Sequence, residues 1–118
     1  MMQLNLMCMP FSSVSRDIHK GLALAAKACI SGKRALYVNA LVNISRSCDC
    51  DPDAGPIICP DIGYLASNEL AAIDKASLDL INRVRPGVFE HTHGIDPSKQ
   101  VRYAEEIGLD SSYELIRR

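Results

Sequence analysis

The chain contains no tryptophan, and only 5% of its residues are aromatic. A hydrophobic core must therefore be built from aliphatic side chains, which an apolar fraction of 47% makes feasible. No apolar run in the sequence approaches the roughly 20 residues that cross a bilayer, so we expect no membrane-spanning helix. The formal net charge is −1, and the lack of a net positive charge argues against a nucleic-acid partner.

A secretory signal is also missing. The N-terminal sequence MMQLNLMCMPF is apolar but has neither the basic leader nor the small-residue cleavage site of a signal peptide. The expected compartment is therefore the cytoplasm, where the five cysteines should be reduced thiols or metal ligands rather than structural disulfides. Residues 1–12 are expected to add a strand or to be poorly ordered.

Helical spacing of apolar residues predicts a first helix that begins near Ser15 and ends at Gly32. The residues of its predicted apolar face are Ile18, Leu22, Ala25, Ala26 and Cys29. This placement makes Cys29 a buried thiol and leaves His19 on the polar flank.

Two further helices follow from the same spacing. Residues 69–84 form the first of them, in which Asp74 is expected to be a solvated group. The second begins after Asp96, which is placed to cap it ahead of Pro97. Gly108 followed by Leu109 predicts that this helix ends in a Schellman motif.

Residues 34–45 predict a strand, because side chains alternate between two largely apolar sides. Val38 and Ala40 point one way and Asn39 and Leu41 the other, so this strand should be central and covered on both faces. Residues 60–67 and the C-terminal YELIRR predict further strands. The expected architecture is one α/β domain, residues 1–118, with a small mixed or parallel sheet of three to four strands and helices packed on it.

The segment SRSCDCDPDAGPIICPDIG concentrates cysteines and aspartates in a loop after the first strand. Its Cys-x-Cys pair, Cys48 and Cys50, suits one metal centre because alternate residues of an extended chain face the same way. Cys59 is a candidate third ligand. Further metal ligands are expected among Asp49, His91, His93, Cys8 and another carboxylate. The metal would be zinc, iron or an iron–sulfur cluster.

Two other interpretations of the loop remain open. The thiols could exchange disulfides, although neighbouring aspartates disfavour the thiolate. Alternatively, small thiols and aspartate side chains could simply shape the turn. If the loop is a site, Asn39, Asn43 and Asp61 are candidate cofactor-binding residues, because they lie along or beyond the first strand, where open α/β sheets place their ligands.

The segments YVNALVNISRSCDCDPDAG, PDIGYLAS, AAIDKASLDLIN and YAEEIGL together resemble the C-terminal half of a prokaryotic family of unknown function, often labelled uncharacterised iron–sulfur centre proteins. Members of that family commonly carry ferredoxin-like Cys-x2-Cys clusters ahead of this region. This chain contains no such cluster, so the resemblance implies a half of such a protein without its cluster ligands.

Two functions are therefore expected, and the sequence leaves open whether the protein is an enzyme. The first is a metal-binding or iron–sulfur-associated domain that uses the Cys-x-Cys loop. The alternative is a non-catalytic subunit or half-domain that assembles as a homo-oligomer or with a partner subunit, in which the cysteine loop is structural.

Overall fold

A computed structural model describes residues 15–48 and 50–117, so the expectation for residues 1–12 lies outside the described part. The elements, in chain order, are α1 (Ser15–Ile30), β1 (Tyr37–Leu41), β2 (Ile44–Ser45), β3 (Ile57–Cys59), β4 (Gly63–Ser67), α2 (Leu70–Val84), α3 (Val88–His93) and α4 (Ser98–Glu106). The mixed α/β class is confirmed. Among the described residues, no helix has the length and apolar character needed to cross a membrane.

The sheet differs from the one expected. Strands β1 and β4 form one antiparallel pair, and β2 and β3 form a second. No parallel or mixed sheet of three to four strands is found in residues 15–48 and 50–117. The physical reason is the connection: residues 42–62 contain β2 and β3 but no helix, whereas a parallel pair requires a long crossover. Residues 113–117 form no strand, so the predicted C-terminal strand was wrong.

The predicted first strand is interrupted after Leu41. Asn43 adopts the left-handed conformation, with φ of 51°, which asparagine tolerates better than most residues. Its backbone N–H donates to Oδ1 of Asp61 at 2.7 Å, and the N–H of Ile62 donates to the Leu41 carbonyl at 2.8 Å. The chain therefore leaves β1, forms the β2–β3 hairpin and returns directly into β4.

Only one face of the β1–β4 sheet is covered. Asn39 and Leu41 are each 3% exposed, which confirms the predicted alternation along β1. Val38 is 61% exposed and Tyr64 is 72% exposed. The prediction that the first strand is covered on both faces was therefore wrong. The outer face consists of the directly opposed pairs Val38–Ala66 and Ala40–Tyr64.

The core lies between the inner face of the sheet and the helices that follow it. Its buried residues are Leu41, Cys59, Leu78, Ile81, Phe89 and Val101, which come from β1, β3, α2, α3 and α4. Among the described residues, Phe89 is the one aromatic side chain buried in this cluster, in agreement with the aliphatic core predicted from composition. The described side chains of α1 do not belong to it.

Helix α1 packs instead against α4, through a face next to the one predicted. Ala23 is fully buried in a small cluster with Ala71 and Ala104, and His19 is only 4% exposed. Cys29 is exposed, so its expected burial was wrong. Small alanines on all three helices allow a close approach along the His19–Ala23 stripe, and this packing decides which face is buried.

The end of α4 matches its prediction. Gly108 has a φ of 86°, and its N–H donates to the Glu105 carbonyl at 2.9 Å. The N–H of Leu109 donates to the Ala104 carbonyl at 2.9 Å. These two bonds constitute the Schellman motif that the Gly-Leu sequence predicts.

Replacing Gly108 with alanine is expected to lower the free energy of unfolding by about 1–2 kcal/mol, because a Cβ atom disfavours positive φ. The matched control is Gly21→Ala within α1, where a Cβ would have no neighbour within 4 Å. This control should stabilise the protein by about 0.5–1 kcal/mol. Urea unfolding of both variants measures the difference, and equal effects would contradict the C-cap.

Candidate functional site

The cysteines of interest lie in a hairpin, residues 44–59, that we call the cysteine hairpin. Strands β2 and β3 form its base, and two further backbone bonds extend the pairing toward the tip. The N–H of Arg46 donates to the Pro56 carbonyl at 3.0 Å, and that of Ser47 donates to the Ala54 carbonyl at 2.8 Å. The tip is therefore a short loop on a hydrogen-bonded stem.

Aspartate side chains fix the conformation of this loop. Oδ1 of Asp51 accepts the N–H of Asp53 at 3.0 Å, and Oδ1 of Asp53 accepts the N–H of Gly55 at 3.3 Å. These are Asx turns, in which a carboxylate replaces a backbone acceptor. Asp49, a predicted metal ligand, lies outside the described residues. The two aspartates described here hold the loop, as the structural interpretation expected.

Cys48 and Cys50 are brought together at the tip. Cys48 is 6% exposed, whereas Cys50 is exposed. Their Sγ atoms lie 2.9 Å apart, and the N–H of Cys50 points at Sγ of Cys48 at 3.5 Å. Because an S–S bond is about 2.05 Å long, these two sulfurs are in contact but not bonded to each other. Cys50 is disulfide-bonded in the structure, so the expectation of a reduced thiol or metal ligand was wrong for this residue. Both Cys48 and Cys50 have further interactions.

Cys59 does not join this pair. It is 1% exposed on β3 and belongs to the hydrophobic core. Burial raises the pKa of its thiol, the charge of Asp61 raises it further, and Arg85 opposes both. Among residues 15–48 and 50–117, no three His, Cys, Asp or Glu side chains are grouped so that they could hold a metal ion.

The two histidines that were predicted as metal ligands lie on α3, a helix that the apolar spacing did not predict. His91 is exposed, and its Nδ1 lies 2.7 Å from the Gly87 carbonyl oxygen. His93 is half-buried, and Arg46 of the hairpin is close enough to act on its ring. Its Nε2 is buried without a hydrogen-bond partner. Burial lowers the pKa of His93, and the Arg46 charge lowers it further.

Asn39 connects the sheet to helix α2. Its Nδ2 donates to Oδ1 of Asp74 at 3.1 Å and to Oγ of Ser77 at 2.9 Å. The Ser77 hydroxyl in turn donates to the Ile73 carbonyl at 2.7 Å. All three polar side chains of this network, Asn39, Asp74 and Ser77, are at most 3% exposed. Asn39 therefore holds β1 on α2 through both of its amide hydrogens.

The expectation that Asp74 is solvated was wrong. It is 2% exposed, and burial raises the pKa of its carboxyl group, which the Asn39 hydrogen bond partly offsets. Its Oδ2 has no hydrogen-bond partner. The sequence carries a signal for this position, since Leu70, Asp74, Leu78 and Ile81 follow the spacing of one helical face.

The three predicted cofactor-binding residues engage different partners. Asn39 bonds to α2, whereas the carboxylate of Asp61 accepts the backbone N–H of Asn43 and closes the turn after β1. The Asn43 side chain is exposed. Asn43 and Asp61 thus orient the entry to the cysteine hairpin, and their role toward a cofactor stays a prediction.

A cleft of about 240 Å³ lies between α2 and α4, with Leu78 and Val101 among its lining residues. Four of its charged groups are already paired. Lys75 lies 2.9 Å from Asp79, and Arg102 lies 2.9 Å from Asp96. Within each pair the charges neutralise each other, and the other charged groups that line the cleft are the carboxylates of Glu90 and Glu105.

No protein-family model, curated protein or solved structure matched the chain. Functional inference therefore starts from the geometry of the cysteine hairpin and of the sheet.

Replacing Asn39 with alanine is expected to lower the free energy of unfolding by about 2–3 kcal/mol, because buried polar groups of Asp74 and Ser77 lose their partner. Asn68→Ala is the control, since Asn68 is exposed just ahead of α2, and its effect should stay within about 0.5 kcal/mol. Chemical unfolding measures both variants. Equal stability of the two would contradict the role of Asn39.

Proposed function

We propose that the cysteine hairpin binds a soft metal ion such as zinc in the reduced protein, with Cys48 and Cys50 as two of its ligands. The observation that supports this is the 2.9 Å contact between their sulfur atoms. Thiolates are the preferred ligands of soft ions. Zn–S bonds of about 2.3 Å in a tetrahedral site would place the two sulfurs roughly 3.7 Å apart. After reduction of the Cys50 disulfide, rotation of this exposed side chain supplies the increase in distance.

The loop is suited to this role because its backbone is already ordered. The Asx turns of Asp51 and Asp53 and the ladder bonds of Arg46 and Ser47 fix the tip in the structure. Metal binding to such a loop loses less conformational entropy than binding to a mobile segment. Asp51 and Asp53 therefore support the site by forming turns rather than by binding the metal.

The remaining ligands have to come from residues other than Cys59, because Cys59 is occupied in the core. Among the described residues, His93 is a candidate because imidazole is a zinc ligand and because Arg46 of the same hairpin acts on its ring. Asp49 and Cys8 are the candidates outside the described residues. A single ion suits this set better than an iron–sulfur cluster, which requires four cysteine ligands in its common forms.

Reduced protein, prepared without oxygen, is expected to bind one zinc ion in competition with a coloured chelator. The double variant Cys48→Ser, Cys50→Ser should lose this binding, because hydroxyl groups are poor ligands for soft ions. Cys29→Ser is the matched control, since Cys29 is an exposed cysteine on α1, away from the hairpin.

Two outcomes contradict the proposal. One is that the wild-type protein does not compete with the chelator. The other is that the double variant binds zinc as tightly as the Cys29→Ser control does.

The uncovered outer face favours a second candidate function, association with a second copy of this chain. Val38, Ala40, Tyr64 and Ala66 carry no charge, and Val38 and Tyr64 are largely exposed. Homodimer interfaces are more apolar than other interfaces, and twofold symmetry brings identical patches together. An uncharged face meets its own copy without electrostatic repulsion. In each described sheet a strand has only one neighbour, so the β1–β4 pair also has open edges.

Replacing Tyr64 with lysine is expected to weaken this association about tenfold or more, which corresponds to about 1.4 kcal/mol, since a charge would be buried in the interface. The matched control is Ile116→Lys, because Ile116 is 77% exposed and lies outside the outer face. Sedimentation equilibrium measures the association. A wild-type chain that stays monomeric at high concentration contradicts this function.

A further inference from the structure

Two buried polar side chains between α1 and α4 lack partners. His19 is 4% exposed and Gln100 is 1% exposed. Nδ1 of His19 and both polar atoms of the Gln100 side chain have no hydrogen-bond partner. Buried polar groups are nearly always hydrogen-bonded in folded proteins, so this concentration of unpaired atoms calls for an explanation.

The packing places both side chains at the same end of the helix pair. His19 lies one turn before Ala23, and Gln100 lies one turn before Ala104, and the two alanines share one packed cluster. Farther along, Lys27 donates a hydrogen bond to the Ile107 carbonyl. The helices therefore run in the same direction, with His19 and Gln100 near their N-terminal ends.

The surroundings of His19 tolerate a neutral ring better than a charged one. One turn along α1, Ala23 packs with Ala71 of α2 and Ala104 of α4, so this helix contact is apolar. Among the described residues, the charged groups that act on the ring are Lys99 and Asp96. The Asp96 carboxylate is already engaged, since it accepts the N–H and hydroxyl of Ser98 and pairs with Arg102.

Helix α1 packs outside the main hydrophobic core. Its main packing partner is α4, and no α1 residue belongs to the main core cluster of the described residues. The network of Asn39 and the core of α2, α3, α4 and the sheet do not involve it. Undocking of α1 would therefore expose the small alanine cluster without opening that core.

We propose that His19 makes the docking of α1 acid-sensitive: protonation of its buried ring releases α1 from α4, while the sheet and α2 remain folded. A protonated imidazole has two N–H donors and a full charge, and burial removes the hydration that stabilises this charge. The unpartnered amide oxygen of Gln100 at this end of the helices is neutral, so it does not compensate the charge. Undocking rehydrates the ring and so favours the protonated form.

The direction of the pH dependence follows from linkage. Burial lowers the pKa of His19 below its ordinary 6.5, Lys99 lowers it further, and Asp96 opposes both. Docking is therefore at full strength above the pKa of the undocked ring and weakens as the pH falls below it. Between the two pKa values, the ratio of undocked to docked protein rises about tenfold for each pH unit.

Hydrogen exchange read out by peptide mass spectrometry tests this directly. Between about pH 7.5 and about pH 5.5, a range that brackets an ordinary histidine pKa, protection factors of α1 peptides should fall while those of α2 peptides are kept. Protection factors are compared rather than rates, because the intrinsic exchange rate itself changes with pH.

Variants identify the responsible group. His19→Gln should abolish the selective loss of protection in α1 at low pH. His91→Gln, which replaces the exposed histidine on α3, should leave this loss unchanged. If His19→Gln does not fold, Lys99→Gln provides the test, because removing this exposed positive charge should narrow the pH window of undocking.

Several results would overturn the inference. One is constant protection of α1 across the range, and another is equal loss in α1 and α2 at the same pH. An unchanged pH response in His19→Gln, or in Lys99→Gln if that variant has to replace it, would also overturn it.

Discussion

The amide of Asn39 is the constraint on which most of the described structure depends. A strand pair on its own is marginally stable in water, and this one is held on α2 by two hydrogen bonds from one buried side chain to Asp74 and Ser77. Leu41, two residues farther along β1, then enters the core from the same face. The polar network sets the register of the strand on the helix, and apolar packing follows from it.

That register also determines where the cysteine hairpin leaves the domain. Because Leu41 is fixed in the core, the turn at Asn43 begins at a defined point, and Asp61 closes it from the other end. The same aspartates that suggest a metal loop in the sequence are used to hold backbone amides. Their carboxylates thus stabilise the hairpin geometry, while chemistry at its tip is left to the sulfur atoms.

Local patterns predicted α1, α2 and α4 well, because the information lies within a few residues, whereas the short helix α3 was not predicted. The Schellman motif at Gly108 and the helix that contains Ile73 and Ile81 are examples. The buried face of α1 was not predictable in this way, since apolar residues occur on two adjacent stripes. Alanines at positions 71 and 104, far along the chain, decide that His19 is buried and Cys29 is exposed. The prediction of the sheet topology was wrong for the same reason, because strand pairing depends on residues far apart in the sequence.

In the candidate site, too, local features were predictable and features that depend on tertiary packing were not. Proximity of Cys48 and Cys50 follows from their spacing, whereas the separation of Cys59 depends on which side of β3 faces α2. Successive side chains of a strand point to opposite faces of the sheet. In a two-layer domain, those on the inner face enter the core and those on the outer face meet solvent. Among the described residues, helices cover one side of the β1–β4 pair, so this pair has one buried side and one exposed side. The exposed, apolar outer face follows from this arrangement, and a covering partner would change its environment.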